Sequence, residues 1–201
     1  MKTRKAVLWG LVALLLAGAG VLIVLDWDSR WSARESHKHC MKNAGLGLNL
    51  YARDHEGRFP FHTNGFGDAL LLFVKEEPSS LLSVCGPDDD GQLFVAALTN
   101  GLDVIEARCS RIYVQGLSDS NNPNIAILFD RYATRGGDHF RSHFAHYVRE
   151  VGMLDGSMQR IRAEGWSDFA FNQINLLVAA GIPRQTAEGY YKDTLTAGHR
   201  R

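Results

Sequence analysis

The most constraining feature of the 201-residue sequence is an uninterrupted apolar run close to its start. No residue between Ala6 and Leu25 carries a charge. A helix of this length rises about 30 Å, which matches the hydrocarbon thickness of a bilayer. Basic residues precede the run and Asp26 and Asp28 follow it, so the positive-inside rule predicts a cytoplasmic N-terminus and a translocated remainder. Residues 1–25 are therefore expected to form a cytoplasmic tip and a transmembrane anchor.

Two tryptophans support a retained anchor. Trp27 and Trp31 fall where aromatic side chains commonly sit at a membrane interface. The alternative is a cleaved signal peptide, because Ala17–Ala19 offers small residues for cleavage. Since Val21–Leu25 extends the apolar run beyond that point, we expect a single-pass protein of a bacterial inner membrane with its C-terminal domain in the periplasm.

The charge of the translocated part argues against nucleic acid as a partner. After the anchor, 19 basic residues stand against 22 acidic ones, a net charge of about −3. Nucleic-acid-binding domains instead carry clustered lysine and arginine that neutralise phosphates. The lipid bilayer and other proteins are the partners this sequence indicates.

The sequence predicts an α+β exported domain between two helical segments. Residues 26–57 are expected to continue the anchor as a juxtamembrane helix, because Cys40, Met41, Ala44, Leu48, Tyr51 and Ala52 recur at helical spacing until Gly57 and Pro60 end it. Residues 58–165 are expected to form a small antiparallel sheet. Its predicted strands are Leu93–Ala97, Arg111–Val114, Ile125–Phe129, Val148–Leu154 and Ser157–Ile161, the last two joined by an Asp155-Gly156 turn with positive φ at both positions.

Residues 166–201 are predicted to form a C-terminal helical extension. Ser167 is a candidate N-cap, with Trp166 and Phe171 as a hydrophobic staple across it. The predicted apolar face comprises Phe171, Ile174, Leu177 and Val178, and a second helix is predicted over Pro183–Leu195. The aromatic residues here, including Phe169, Tyr190 and Tyr191, suit either core packing or a partner surface.

Three stretches resemble the pseudopilin-like, prepilin-type proteins of the type II secretion and type IV pilus class. CMKNAGLGLNLYARDHEGRFP, Cys40 to Pro60, resembles the cysteine, amphipathic helix and Phe-Pro exit of the group named for a histidine, nine residues and Asp-Gly. Cys85–Asp88 and Cys109–Leu117 resemble its two later cysteine stretches. His146 to Asp155-Gly156, preceded by Asn124–Arg131, resembles its terminal hairpin, although eight residues separate His146 from Asp155 and eleven separate His143 from it.

The resemblance implies a type IV pilin-like fold, with a membrane-rooted helix laid across the sheet. It also implies a structural or assembly component of a secretion or pilus-like system, without catalytic residues or cofactors. The expected partners are other envelope or pilin-like proteins, with the C-terminal helix as a candidate contact surface. Processing and filament assembly are not predicted, because Gly10 is followed by Leu11 and the apolar Leu15 occupies the position of the usual glutamate. A minor, tip-like filament component would need processing despite this start.

In an oxidising compartment a disulfide between Cys85 and Cys109 is the default expectation. Closing a loop of this size stabilises a domain by about 3 kcal/mol in the chain-entropy model. The spacing leaves Cys40 open as a partner of either residue, and two buried thiols are the simpler alternative.

Several acidic and histidine residues are weak candidates for a metal site. Asp88 and Asp90 could offer oxygens to calcium, but Asp88–Gly91 lacks the spaced acids and glutamate of a calcium loop and is typical of a surface turn. His37, His39 and Cys40 point in different directions on a helix, which disfavours zinc.

The densest titratable group is a histidine-rich segment near the predicted hairpin. His139, His143 and His146 occur near Asp130, Asp138 and Asp155. A histidine beside a carboxylate could act as a general base, which makes an anchored periplasmic hydrolase or a metal-binding protein using residues 139–155 the alternative interpretation. No serine or cysteine stands in a recognisable nucleophile context, so the sequence favours a non-enzymatic protein.

Overall fold

The structure, a computed structural model, describes residues 41–77, 90–100, 109–136 and 146–196. Helix α1 covers residues 41–54, and the next two helices are α2, Phe66–Glu76, and α3, Asp90–Asn100. The strands are β1 Arg111–Tyr113, β2 Ala126–Asp130, β3 Thr134–Gly136, β4 His146–Met153 and β5 Met158–Arg162. A 3₁₀ turn, Ala163–Gly165, leads into α4, Trp166–Ala179, and α5, Arg184–Thr196. The chain is thus α+β, as the sequence predicts.

Strand β4 is the centre of an antiparallel sheet. One edge of β4 pairs with β5. The other edge pairs with β2 near the C-terminal end of β4 and with β3 near the N-terminal end of β4. Strands β2 and β3 therefore lie end to end, and β1 pairs with β2 on the far side. A register shift between Ala126 and Leu128 marks an irregularity in the β2–β4 ladder.

Helices cover both faces of this sheet. A Cβ atom built at Gly152 would lie 3.8 Å from Met41 Sδ, which places α1 on that face of β4. Arg149 lies three residues earlier and points to the opposite face, where its Cζ lies 4.5 Å from the centre of the Trp166 ring of α4. All five residues of β2 are buried because the sheet is covered on both sides.

One glycine of α1 permits close packing that the sequence pattern alone does not reveal. A Cβ at Gly47 would lie 2.8 Å from Cζ of the buried Phe73 in α2. The low helix propensity of Gly47 is therefore accepted where α1 meets α2. A Cβ at Gly45 would make only an ordinary contact, 3.9 Å from the Cα of Gly156 in the turn between β4 and β5.

The predicted hairpin is confirmed, but its turn differs from the expected one. The N–H of Gly156 donates to Met153 O at 2.9 Å, and Met153 N–H donates to Ser157 O at 2.9 Å. Gly156 alone has positive φ, at 82°, so Asp155 does not adopt the conformation predicted for it. The connection is a three-residue loop that ends in a left-handed glycine, the next commonest hairpin geometry.

The predicted inner face of α1 and the strands at Arg111 and Ala126 are confirmed, but the strand Leu93–Ala97 is wrong. That run lies in α3, where Thr99 Oγ1 donates to Val95 O at 2.8 Å. Short apolar runs do not distinguish strand from helix, and the residues flanking this one extend it to a helix of 11 residues.

Helix α2 is not predicted in our sequence analysis, although its sequence carries the signal. Its apolar residues recur at spacings of three and four: Phe66, Ala69, Leu70, Phe73 and Val74. Asp68 lies in its first turn and Lys75 in its last, as the helix dipole favours. The helix packs against α3 and β1.

The two C-terminal helices are confirmed, whereas the predicted start of α4 is wrong. The N-cap position is Gly165, with no side-chain capping bond, and Ser167 lies inside the helix. Phe171 is 65% exposed, so it neither staples to Trp166 nor belongs to the buried face. The buried aromatics are instead Trp166 and Tyr191, whose ring stacks on Phe129 of β2 with centroids 4.8 Å apart.

The predicted anchor, residues 6–25, and the interface residues Trp27 and Trp31 lie outside the described residues. Within the ranges that the structure describes, no helix has the length and apolar character needed to span a membrane. The anchor therefore remains a prediction from the sequence.

Glycine substitutions in two helices should have opposite effects on the free energy of unfolding. Gly47→Ala should destabilise the protein by about 1–2 kcal/mol, because overpacking against the buried Phe73 outweighs the gain in helix propensity. Gly189→Ala should stabilise it by about 0.5–1 kcal/mol, since Gly189 of α5 has nothing within 4 Å of a built Cβ. Denaturant unfolding of the full chain measures both. An equal gain from both substitutions would contradict the close packing at Gly47.

Two buried tyrosines should likewise respond differently to loss of the hydroxyl. Tyr113 Oη donates to Pro60 O at 2.9 Å, so Tyr113→Phe should cost about 1 kcal/mol of unfolding free energy. Tyr191 Oη is buried without a hydrogen-bond partner among the described residues, so Tyr191→Phe should be neutral or stabilising. Unfolding curves of the two variants test this, and a larger loss for Tyr191→Phe than for Tyr113→Phe would disprove it.

Candidate functional site

A row of four charged side chains crosses the sheet from β1 to β5. The strand register places Arg111 opposite Asp130 and Glu150 opposite Arg160. The register between β2 and β4 makes Asp130 and Glu150 neighbours as well. All four side chains therefore lie on one face of the sheet, the face of β4 that α1 covers. We call these residues the charged row.

The members of the charged row compensate one another. Arg111 Nε lies 3.5 Å from Asp130 Oδ1, and Asp130 Oδ2 accepts a hydrogen bond from Glu150 N–H at 3.0 Å. Glu150 Oε1 accepts two bonds from Arg160, at 3.1 Å from Nε and 2.8 Å from Nη2. Three of the four side chains are buried, while that of Arg160 is 39% exposed. Two positive and two negative charges leave the row formally neutral, as buried charges require.

Two further arginines on the other side of the sheet hold the C-terminal end of α5. Arg149 Nη2 donates to Thr194 O at 2.9 Å, and Arg131 Nη1 bonds Asp193 Oδ2 at 2.8 Å. Burial lowers the pKa of Arg149, and the nearby Asp130 carboxylate opposes that shift. A cation near the last carbonyls of a helix is favoured because those carbonyls carry partial negative charge. The end of α5 is thereby joined to β4 and to the residue that follows β2 through two buried arginines.

The structure tests the predicted cysteine and aspartate sites only in part. Cys109 is buried just before β1, and its carbonyl accepts a bond from Arg131 Nε at 2.8 Å. Three of the predicted residues, Cys40, Cys85 and Asp88, lie outside the described residues. Asp90 begins α3, but its side chain is not described. The predicted disulfide therefore stays a prediction.

The histidine-rich segment is also described only at its end. His139 and His143 lie outside the described residues, and the backbone of His146 begins β4. Asp155 Oδ1 accepts the N–H of Ser157 at 2.8 Å, and hydrogen bonding from Ser157 lowers the pKa of this carboxyl. Asp155 therefore has the structural role in the turn that the sequence predicts. Among the residues with described positions, no group of three His, Cys, Asp or Glu could hold a metal ion.

The charged row was not predicted from the sequence, although two signals were available. Asp130 ends a strand of otherwise apolar residues, and Arg149 and Glu150 interrupt the apolar character of β4. Charged residues inside a strand whose neighbours are buried need partners of opposite charge. The sequence does not give the strand register, so it cannot say which charges meet.

The outward face of α1 carries two exposed leucines. Leu46 is 59% exposed and Leu50 is 39% exposed, one helical turn apart. On the inward face Met41, Ala44, Leu48 and Ala52 are all buried in the core. Helix α1 thus has apolar surface that its packing against the described residues leaves exposed.

Comparison with known proteins adds no relative. No family model matches the chain, and neither curated proteins nor solved structures give a significant match. The function of the chain is therefore inferred from its residues and their geometry.

The charged row should tolerate loss of one carboxylate far better than loss of the other. Asp130→Asn removes the buried carboxylate beside the buried Arg111 and should cost about 3 kcal/mol of unfolding free energy. Glu150→Gln should cost only about 1 kcal/mol, because Arg160 lies at the sheet edge and can turn to solvent. Equilibrium unfolding of the two variants measures the difference in unfolding free energy. Equal losses would contradict the prediction, which depends on Arg111 being buried and Arg160 being partly exposed.

Proposed function

We propose that this chain is a membrane-anchored, pseudopilin-like structural or assembly component of a secretion or pilus-like system. In this proposal residues 6–25 anchor it in a bacterial inner membrane, with the N-terminus in the cytoplasm and the α+β domain in the periplasm. The ordered motifs of the sequence support the proposal, and an amphipathic helix packed on an antiparallel sheet is the arrangement that the resemblance implies. The chain would act through binding and not through catalysis.

The observation that carries the proposal is the second apolar stripe on α1. The buried face of the helix suffices to join it to the sheet and to α2. Leu46 and Leu50 lie outside that face, and their exposed parts leave apolar surface in water. Exposed leucines one turn apart are suited to a partner helix that packs along the same face.

The size of this stripe indicates a weak lateral contact. Two leucines provide far less than the roughly 1,200 Å² that a stable isolated interface buries. Such a contact becomes effective when both proteins are held in the same membrane, since tethering raises their effective concentration. This agrees with an assembly component that is anchored beside its partners.

The charged residues are arranged for structure and not for turnover. Glu150 is bound to Arg160, and Asp130 accepts the backbone N–H of Glu150. The Asp155 carboxylate accepts the N–H of Ser157 within its own turn. An active site would need a base, a nucleophile and an orienting group to converge on an accessible point, so these contacts support the proposal of a non-enzymatic protein.

Site-specific photo-crosslinking in intact cells tests this function. A photoreactive residue at Leu46 or Leu50 should crosslink to other envelope or pilin-like proteins, whereas the same residue at Gln185, an exposed position on α5, should do so far less. Mass spectrometry of the products identifies the neighbours. Equal yields at Gln185 and Leu46, or no envelope protein among the products, would contradict the proposal.

A further inference from the structure

Among the described groups, His55 has a bonding pattern that a neutral imidazole cannot satisfy. Its Nδ1 lies 2.8 Å from the carbonyl oxygen of Tyr51 in α1, and its Nε2 lies 3.2 Å from Oε2 of Glu76 at the end of α2. A backbone carbonyl and a carboxylate both accept hydrogen bonds. A neutral imidazole carries a proton on only one nitrogen, whereas the imidazolium donates from both.

We infer that His55 is a proton-dependent clasp between α1 and α2. With two protons it donates to both acceptors and carries a charge opposite to that of Glu76. When it loses one proton, a nitrogen lone pair faces an acceptor oxygen and the clasp weakens. The inference does not depend on the proposed function, because it concerns only contacts within the domain.

The groups around His55 are ones that interact well with an imidazolium. Its ring stacks on that of Tyr51, with centroids 3.8 Å apart and an angle of 4°, which suits a cation over an aromatic face. His55 also follows the last turn of α1, where a positive charge interacts well with the helix dipole. Glu76 is the charged group facing it from α2, and Tyr51 is the titratable group facing it from α1. The neighbouring charges of Arg53 and Asp54 bind each other at 3.1 Å.

The clasp acts at a contact that positions α2. The Tyr51 ring meets Phe73 edge-on at 6.1 Å between centroids, and Phe73 is the residue that fills the space above Gly47. Burial, followed by the nearby charge of Glu76, raises the pKa of Tyr51. Loss of the clasp should therefore loosen α2 at its C-terminal end. Imidazole changes its charge between about pH 5 and 8, so the response falls in a physiological range.

A second histidine provides the control. His62 Nδ1 accepts the N–H of Asn64 at 3.2 Å, a bond that requires an unprotonated nitrogen, although Asp68 Oδ2 lies 3.6 Å away. His62 thus contacts residues at the N-terminal end of α2, whereas His55 contacts its C-terminal end. Replacing it should not change the dependence of the His55–Glu76 contact on pH.

The test is a double-mutant cycle on the full chain in detergent at about pH 5.5 and about pH 8. At the lower pH His55→Gln and Glu76→Gln should each reduce the folding equilibrium constant about two-fold to five-fold, with no further loss in the double variant, because half-exposed ion pairs are weak. At the higher pH Glu76→Gln should have almost no effect. His62→Gln, the matched control, should leave the coupling unchanged.

Imidazole ¹⁵N spectra of the same protein report protonation directly. Near pH 5.5 the spectra should show both nitrogens of His55 protonated in the wild type. A neutral His55 at that pH, a coupling that is the same at both values, or a Glu76→Gln cost that grows with pH would overturn the inference.

Discussion

The sheet of this protein depends on a pair of buried opposite charges. Asp130 of β2 lies between Arg111 of β1 and the backbone of Glu150 of β4, so one carboxylate contacts the strands on both sides. A shift of one residue in any of these strands would move a charge to the other face, away from its partner. Buried ion pairs add little net stability compared with apolar packing. Their value here is that they favour the one alignment of β1, β2 and β4 in which the opposite charges meet.

Much of the fold can be predicted from the periodicity of the sequence. The inner face of α1, the strand at Ala126 and the hairpin at Asp155 each follow from patterns within a few residues. The errors also have local causes. The run at Leu93 is too short and too apolar to distinguish strand from helix. Ser167 is a candidate N-cap by residue type alone, whereas the preceding 3₁₀ turn makes Gly165 the actual cap.

The candidate site could be predicted much less well, because it depends on contacts between distant residues. The residues of the charged row, Arg111 to Arg160, span four strands, and only the register brings them together. The same holds for His55, whose partner Glu76 lies on a helix that the sequence analysis did not predict. By contrast, Leu46 and Leu50 could have been recognised, since they fall off the inner helical face by simple spacing.

The contact between Gly45 and Gly156 has a mechanical consequence. The backbone of the helix approaches the tip of the hairpin here, close enough that a Cβ built at Gly45 would lie 3.9 Å from the Cα of Gly156. Asn49 Nδ2 lies at the same contact, 3.2 Å from a Cβ built at Gly156. A pull along the axis of α1 would therefore act on the hairpin as a shear load. Force applied to this helix would be carried into β4 and spread through every strand that pairs with it.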